Sequence, residues 1–233
     1  IIKNIQAEAR NARYDILKNF CIKNNVKVIL TGHNLEDQVE TFLMRLSRGS
    51  GLRGLSAMKP LTKINGRVSL FRPLLDTQKQ FLVKISKTIF GTYLKDPSNK
   101  NEKYLRTKIR NLKKPLEKSG IKYEKIFKSI QNLSQSKTTL EEHLKKIFKK
   151  LIKKANNEIL INFNNYKVLN MDTKIALINY SIKQLKRNYY DLRSKKVENL
   201  ISRLSKKDFK NSTLGGCIFF KKGEYLGLKA EKR

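Results

Sequence analysis

Apolar and polar positions follow two different periods in the first part of the chain. Apolar side chains fall three or four residues apart over residues 4–24, which predicts an amphipathic helix. The β-rich apolar run at 26–30, VKVIL, predicts a short buried strand. A second helix is expected from the cap residue Asn34, with Asp37 in its first turn, to about Ser47. This order of helix, strand and helix is typical of an α/β fold with a doubly wound sheet.

One more strand and one more helix are predicted in the same part of the chain. Residues 67–71, RVSLF, indicate a strand. Thr77 with Gln80 has the spacing of a capping box and predicts the start of a helix that continues to Phe90. Gly91 is placed to end that helix in a left-handed conformation.

Helical spacing dominates the sequence beyond Pro115. Helices are expected over about residues 122–135, 138–155, 172–187 and 194–206. Two hairpins are expected, one over 158–169 that turns at Asn164–Asn165 and one over 212–229 that turns at Gly223. We therefore predict two domains, an α/β domain over residues 1–115 and a mainly helical domain with a terminal hairpin over residues 116–233.

Basic side chains greatly outnumber acidic ones. The 233 residues include 52 Lys and Arg against 19 Asp and Glu, a formal charge of +33. Residues 101–233 carry a net charge of +22, whereas residues 1–59 carry +5. A protein of this charge is expected to bind a polyanion, and nucleic acid is the leading candidate. The second part of the chain is therefore the predicted nucleic-acid-binding part.

Cysteine content and hydropathy exclude several classes of protein. The two cysteines, Cys21 and Cys217, form neither a disulfide framework nor a Cys-rich zinc motif. No apolar run approaches the roughly 20 residues that span a bilayer, and no signal peptide is recognisable. We expect a cytoplasmic protein without a membrane partner, and the sequence makes no prediction of its oligomeric state. Because the chain begins at Ile1 rather than at Met, we also expect it to be N-terminally incomplete.

The candidate chemistry is concentrated after the first predicted strand. His33 follows the carboxyl end of that strand, where open α/β sheets bind ligands. Asp37 and Glu40 are three residues apart on the next helix and so share one face, with Glu36 beside them. Two carboxylates in this position suit a metal ion or a substrate amine. The alternative is that these acids only complement the helix dipole and cap the helix.

For the glycine and arginine residues nearby, a role in ligand binding also has a purely structural alternative. Gly49 and Gly51 lie in the loop RGSGLRG, which could let the backbone approach a ligand closely, or simply shape a turn. The loop lacks the Lys-Ser/Thr ending of a Walker P-loop. Arg13 lies on the first helix, where a solvated face is the usual fate of arginine. Arg106 and Arg110 share one helix face, either to bind phosphates or as ordinary basic surface.

Four tyrosines in the basic part could stack on bases, although core packing is favoured for most of them. They are Tyr104, Tyr123, Tyr189 and Tyr190.

Several of these strings together resemble the tRNA(Ile)-lysidine synthetase family. GHNLEDQVETFLMRLSRGSGLRGL resembles that family's G-H-x-x-D-D-Q-x-E-T block followed by R-G-x-G-x-x-G. Upstream EARNARYDIL, and downstream FRPLLDTQKQ and DPSNKNEKYLRTKIRNLKKPLE, resemble its neighbouring blocks in the same order. The resemblance covers about residues 7–117, and the end of the chain, TLGGCIFFKKGEYLGLKAEKR, resembles the family's C-terminal substrate-binding part more weakly.

The resemblance implies an ATP-dependent ligase that acts on RNA. Members of this family adenylate O2 of the wobble cytidine of tRNA(Ile) with a CAU anticodon. The ε-amine of free L-lysine then attacks C2 and expels AMP. ATP and Mg²⁺ are the implied cofactors, and the implied fold is the C-terminal part of an adenine-nucleotide hydrolase-like domain followed by the tRNA-binding domain.

The resemblance also implies roles for particular residues. Asp37 and Glu40 would hold the lysine as catalytic residues, with Asp37 also a candidate Mg²⁺ ligand, and Arg13 is our candidate for the substrate carboxylate. A second set of residues would contact nucleotide or RNA: His33, Gly49 and Gly51 in the nucleotide or cytidine pocket, and Arg106 and Arg110 on the tRNA.

Two departures from the family pattern leave alternatives open. Glu36-Asp37 stands where the family usually has two Asp, which keeps the charge. The family's S-G-G-x-D-S phosphate loop would lie upstream of Ile1, so we predict that residues 1–233 alone form negligible lysidine. The alternatives are a non-catalytic tRNA-binding fragment, or a tRNA thiolase of the same superfamily, which would generally need reactive cysteines or an iron–sulfur site.

Overall fold

The computed structural model describes residues 5–93, 103–186, 192, 194–206 and 208–231. The chain divides into two compact units between Thr138 and Thr139. This division falls within a long helix rather than near Pro115, and the predicted functional boundary at residue 115 stays a prediction.

The first unit contains a small sheet and most of the helices. Its elements are α1 (Ile5–Lys23), β1 (Val28–Leu30), α2 (Leu35–Leu46), α3 (Leu52–Leu55), β2 (Leu61–Lys63), β3 (Ser69–Phe71), α4 (Lys79–Phe90), α5 (Leu105–Asn111), α6 (Lys113–Lys118) and the beginning of α7 (Tyr123–Leu151). The sheet order is β1-β3-β2. β1 and β3 are parallel with Ile29 opposite Leu70, and β2 is antiparallel to β3. The α/β class is confirmed.

Two apolar clusters hold this unit together and fix the start of α2. Cys21, Ile29, Val68 and Leu70 join α1 to the sheet. A second cluster joins α2 to α7 through Leu35, Val39, Ala57, Tyr123 and Ile130. Val39 is fully buried, so α2 presents one apolar stripe to this cluster and leaves its acidic face for other contacts.

The predicted cap of α2 is confirmed, whereas that of α4 is wrong. Asn34 and Asp37 form a reciprocal capping box at the start of α2. Helix α4 begins after Gln78 with no side-chain cap of its own, so Thr77 and Gln80 do not form the predicted box. Instead the backbone N–H of Lys79 donates to Glu36 Oε2 at 2.8 Å. A carboxylate from a distant helix has replaced the local cap, which sequence spacing cannot reveal.

The second unit is built on an antiparallel sheet. Its elements after the end of α7 are β4 (Ile152–Ala155), β5 (Glu158–Asn162), α8 (Phe163–Lys167), α9 (Met171–Leu185), α10 (Ser194–Leu204), β6 (Asn211–Leu214), β7 (Cys217–Lys222) and β8 (Tyr225–Ala230). The strand order is β4-β5-β8-β7-β6. One sheet face packs on α9 and α10 around fully buried side chains such as Ile161, Leu226 and Leu228.

This unit has more sheet than the sequence predicted. The predicted turn at Gly223, where φ is +58°, is confirmed, but residues 212–229 span three strands rather than one hairpin, since a second turn at Gly215–Gly216 joins β6 to β7. The other hairpin turns at Asn156–Asn157, both with positive φ, and the predicted turn at Asn164–Asn165 is instead part of α8. The two helices predicted over 122–135 and 138–155 are the single helix α7, followed by β4.

Within the part of the chain that the structure describes, no helix has the length and apolar character needed to cross a membrane.

Candidate active site

The carboxyl end of β1 leads directly into the acidic start of α2. The N–H of Thr31 donates to the carbonyl of Phe71 at 3.0 Å, so β1 and β3 end side by side. At the cap of α2, the N–H of Asp37 donates to the Asn34 side chain, and the N–H of Asn34 donates to Asp37 Oδ2, both at 3.0 Å. The capping interpretation of Asp37 is therefore confirmed, and the remaining oxygen of Asp37 has another partner.

Glu40 is the most buried acid of the cluster, with 2% of its surface exposed. Arg106 and Arg110 on α5 each donate through Nε to its carboxylate at 2.7 Å, and Arg110 Nη2 adds a third bond at 3.1 Å. The hydrogen bond and the charge of Glu40 raise the pKa of Arg110 above its usual value despite partial burial. Arg106 also donates through Nη2 to Asp37 Oδ1 at 2.5 Å. The two arginines thus bind α5 to the acidic face of α2.

Glu36 completes the cluster on the side of α4 and α6. Its Oε2 accepts the backbone N–H of Lys79, and its Oε1 accepts Lys113 Nζ at 3.2 Å. All three carboxylates at the start of α2 therefore have cationic or backbone donors. The acids serve as a junction for α4, α5 and α6, a role that their spacing along α2 alone did not indicate.

A cavity of about 580 Å³ opens beside these carboxylates. Its lining residues are Asn34, Glu36, Asp37, Glu40, Lys79, Gln80, Val83, Arg110, Lys113 and Tyr123. Both signs of charge therefore lie on its wall, three carboxylates with two lysines and an arginine. Such a wall complements a small zwitterion better than it complements a purely anionic or purely cationic ligand.

Tyr123 forms a buried part of this wall. Its hydroxyl has no hydrogen-bond partner among the described residues, and only 1% of the residue is exposed. Burial, with the charges of Glu40, Glu117 and Glu36, raises the pKa of Tyr123 to about 12, so the phenol stays protonated near neutral pH. The prediction that Tyr123 packs in the core rather than stacking on a base is confirmed, since Tyr123 belongs to the apolar cluster that joins α2 to α7.

His33 lies at the edge of the sheet next to a concentration of arginines. Its Nδ1 is 2.8 Å from Thr31 Oγ1. Burial lowers the pKa of His33, Arg72, Arg10 and Arg106 lower it further, and Asp37 acts in the opposite direction. The imidazole is therefore neutral near pH 7, a form that can donate one hydrogen bond and accept another.

The structure does not bring every predicted site residue to this cavity. Arg13 lies exposed on α1 without a hydrogen bond or ion pair to the described residues, and Arg10, one turn earlier, is the α1 arginine that influences His33. Gly49 and Gly51 follow the C-terminal end of α2, whereas His33 precedes its N-terminus. Their loop folds back on α2 because Arg45 Nη1 donates to the carbonyls of Gly54 and Ala57, at 2.8 and 2.9 Å.

Sequence reasoning missed how the basic and acidic clusters combine. Arg106 and Arg110 were predicted to bind phosphates, and both are hydrogen-bonded to carboxylates of α2. A signal was available, since two arginines one turn apart match two acids one turn apart in charge and spacing. Nothing in the sequence pointed to Lys113. Part of the D-P-S-N block, Tyr189 and Tyr190 lie outside the described residues, and Tyr104 is partly exposed.

The described residues contain no group of three or more His, Cys, Asp or Glu side chains placed to hold a metal ion. Cys21 and Cys217 are both free thiols and both buried. Within these residues, the structure offers no cysteine site for the iron–sulfur cluster that the thiolase alternative generally needs.

Comparison with known proteins finds one matching family model and several similar curated sequences. A family model described as a PP-loop domain matches residues 2–116. The chain is 34% identical over 225 residues to the tRNA(Ile)-lysidine synthase of Wolbachia pipientis wMel, covering 96% of this chain and 52% of that protein. It is 28% identical over 223 residues to the enzyme of the same name from Ruegeria pomeroyi, with the same coverage of both proteins.

A solved structure, the U34-tRNA thiolase NcsA from Methanococcus maripaludis with its [4Fe-4S] cluster, matches with a TM-score of 0.45 and 20% identity. That match covers 58% of this chain and 47% of the thiolase. The chain spans about half the length of the curated relatives that it matches along most of its sequence.

Proposed function

Because the chain belongs to the tRNA(Ile)-lysidine synthase family, we propose that it is part of an enzyme that ligates L-lysine to the wobble cytidine of tRNA(Ile). ATP first adenylates O2 of the cytidine and releases diphosphate. The lysine ε-amine then forms a bond to C2, and the C2–O bond to AMP breaks. The observation that carries the proposal is the mixed-charge cavity at the start of α2, in a chain that matches this family along nearly its whole length.

The lysine substrate is proposed to bind in this cavity. Free lysine carries an ammonium at each end and a carboxylate at one end, so it needs both signs of charge from the wall. Asp37 and Glu40 are proposed to receive the ε-amine, since a carboxylate offers about four lone-pair sites, and the hydrogen bonds described above use two at Asp37 and three at Glu40. Arg110 and Lys113 line the same cavity and replace Arg13 as our candidates for the substrate carboxylate.

His33 is the proposed contact to the cytidine or the nucleotide. It lies at the carboxyl end of β1, close enough to Asp37 for that charge to raise its pKa. A neutral imidazole can hydrogen-bond the edge of a base without adding charge next to Arg72 and Arg10. The roles of Gly49 and Gly51 in this pocket stay predictions, since α2 separates their loop from His33.

ATP use is a property of the PP-loop family. That Mg²⁺ accompanies the ATP is a further part of the proposal. A metal ion on Asp37 would lie against the Arg106 guanidinium, whereas the lysine ammonium can share the Asp37 oxygens as a further hydrogen-bond donor. Mg²⁺ is commonly held through substrate phosphates with one or two carboxylates. We therefore propose that the triphosphate carries the ion, which would neutralise phosphate charge.

The tRNA is proposed to bind through the basic side chains of residues 101–233, whose net charge is +22. Lysine and arginine contacts to phosphates supply most of the affinity of such complexes and position the RNA. Because Arg106 and Arg110 are bound to Glu40, we assign the phosphate contacts chiefly to other basic residues. The cytoplasm is the proposed location, where tRNA, ATP and lysine are all present.

The test is lysine incorporation into RNA by the full-length protein that carries this chain. Radiolabelled lysine should enter a tRNA(Ile) transcript with a CAU anticodon, dependent on ATP and with one AMP released for each lysine. A transcript with the target cytidine replaced by uridine is the matched control and should take up none. Equal labelling of both transcripts would contradict the proposal, and so would the absence of labelling when the tRNA is shown to be bound.

A further inference from the structure

A second cavity, of about 510 Å³, lies in the first unit on the opposite face of α2 from the acid cluster. Gln38 faces this second cavity, whereas Glu36, Asp37 and Glu40 line the first one. Its floor is the carboxyl end of β3, with Phe71 and Arg72, and its far wall is α7 from Phe127 to Gln135. The proposed function assigns no ligand to this second cavity.

The walls combine apolar and aromatic surface with polar and charged side chains, among them Asp76 and Lys128. Phe71 and Phe127 contribute aromatic rings, and Met58 and Pro73 extend the apolar lining. Phe71 is 37% exposed, so its ring is accessible to a ligand. Cavities that join apolar and aromatic surface to polar groups able to orient a ligand are typical of small-molecule sites.

The wall next to α2 is rigid. The Gln38 side chain donates through Nε2 to the carbonyl of Met58 at 2.9 Å and accepts the N–H of Met58 at 2.8 Å. This pair fixes the loop after α3, and Arg72 Nη1 fixes the next segment through the carbonyl of Lys59 at 2.8 Å and Thr62 Oγ1 at 3.0 Å. The cavity is therefore held open by hydrogen bonds rather than by loose packing.

Two polar groups in the lining lack partners among the described residues. Arg72 is nine-tenths buried, and its Nε has no hydrogen-bond partner. An acceptor on a ligand in the cavity would satisfy this buried donor. The Gln131 side chain is exposed and makes no hydrogen bond of its own, so its amide can both donate and accept.

We propose that this cavity binds an unpaired base of the RNA substrate, a neighbour of the cytidine that is modified. The inference rests on the proposed function, since it requires RNA at the start of α2. Proteins read single-stranded RNA loops by stacking splayed bases on aromatic rings and hydrogen-bonding their edges. The rings of Phe71 and Phe127 supply the stacking surface, and Arg72 and Gln131 supply the edge contacts. A base here would help to select the RNA and hold its loop open.

The test is a double-mutant cycle, in which one substitution in the protein is combined with the removal of one base from the RNA. The probe is an RNA stem-loop with a CAU anticodon, together with versions that carry an abasic site at each other loop position. Gln131→Leu removes the amide, and Asn132→Leu is the matched control, because Asn132 is an adjacent exposed amide on α7 outside the cavity lining. Ser134→Leu, which narrows the cavity, is the second variant. Binding to the 233-residue chain is measured at fixed salt.

We expect Gln131→Leu to weaken binding about fivefold and an abasic site at one loop position to weaken it about tenfold, in line with one hydrogen bond and one stacked base. Gln131→Leu should not weaken binding of that abasic RNA further, because the base that Gln131 would contact is already absent. Asn132→Leu should have no effect. Additive effects at every position, or no effect of Gln131→Leu and Ser134→Leu, would overturn this inference alone. If the unaltered RNA does not bind, the inference and the proposed tRNA substrate both fail.

Discussion

Arg106 and Arg110 both donate through Nε to the carboxylate of Glu40 at 2.7 Å, across 66 and 70 residues of sequence. The carboxylate is buried, whereas the two guanidinium groups keep about a third of their surface exposed. A single acid therefore holds α5 against α2 and sets one wall of the proposed lysine cavity. The first prediction follows from this contact.

Glu40→Gln should destabilise the protein by about 2–4 kcal/mol. Removing one member of a buried ion pair leaves uncompensated charge, and partial exposure of the arginines reduces that cost. Urea unfolding followed by circular dichroism measures the change. Glu8→Gln is the control, since Glu8 is exposed on α1 and its replacement should change stability by less than about 0.5 kcal/mol. Equal stability of both variants would mean that Glu40 does not organise the junction.

Asp37→Asn should retain the helix cap and lose lysine affinity. The N-cap residue Asn34 is unchanged, and an amide oxygen at position 37 can still accept its backbone N–H, so the fold is expected to persist. One charge-assisted hydrogen bond is worth roughly 1.5–3 kcal/mol, so half-maximal AMP release should need about 10- to 150-fold more lysine. The measurement is lysine-dependent AMP release by the full-length protein at saturating tRNA and ATP.

The control for this variant is Asp15→Asn, at an exposed acid of α1 that pairs with Lys18. Its lysine dependence should equal that of the wild type. If Asp37→Asn also leaves the lysine dependence unchanged, the role of Asp37 is limited to the cap. A loss of adenylation at every lysine concentration would instead place Asp37 on the nucleotide side of the reaction.

His33 should titrate below the ordinary histidine pKa of about 6.5, because burial and three arginines disfavour its charged form. The unfolded chain then binds a proton more readily than the folded protein does, so stability should fall as the pH drops below about 6.5. NMR titration of the imidazole measures this pKa, and His143→Gln leaves His33 as the one histidine signal of the 233-residue chain. Asp37→Asn should lower the pKa further, since the Asp37 charge raises it.

Binding to tRNA should weaken steeply with salt. Each neutralised phosphate releases counterions, so a contact set of about 6–10 phosphates predicts a loss of roughly 10³–10⁵ in affinity between 50 and 200 mM salt. Arg106→Gln should leave the dependence of log affinity on log salt concentration unchanged, because the Arg106 guanidinium is hydrogen-bonded to Glu40 and Asp37 rather than to phosphate. Filter binding over a salt series gives the slope. A flat dependence would exclude phosphate contacts as the source of affinity, and a shallower slope for Arg106→Gln would return this residue to the RNA interface.

Local sequence patterns predicted much of the first unit. The helix over residues 4–24, the cap at Asn34 and the end of α4 at Gly91 were all predicted, because each depends on side chains and backbone within a few residues. The same reasoning failed at the turn of Asn156–Asn157. There the competing Asn164–Asn165 pair had an equal local signal, and only the pairing of β4 with β5 decides which pair turns.

The amino-acid sequence by itself determined the family, the basic character of the second part and the acidic start of α2. The tertiary structure decided what those acids contact. Glu36 caps α4, and Glu40 binds two arginines that the sequence assigned to RNA. The reason is physical: a local pattern specifies the conformation of a short segment, whereas the partner of a buried charge is chosen by which distant segments the fold brings within hydrogen-bonding distance of it.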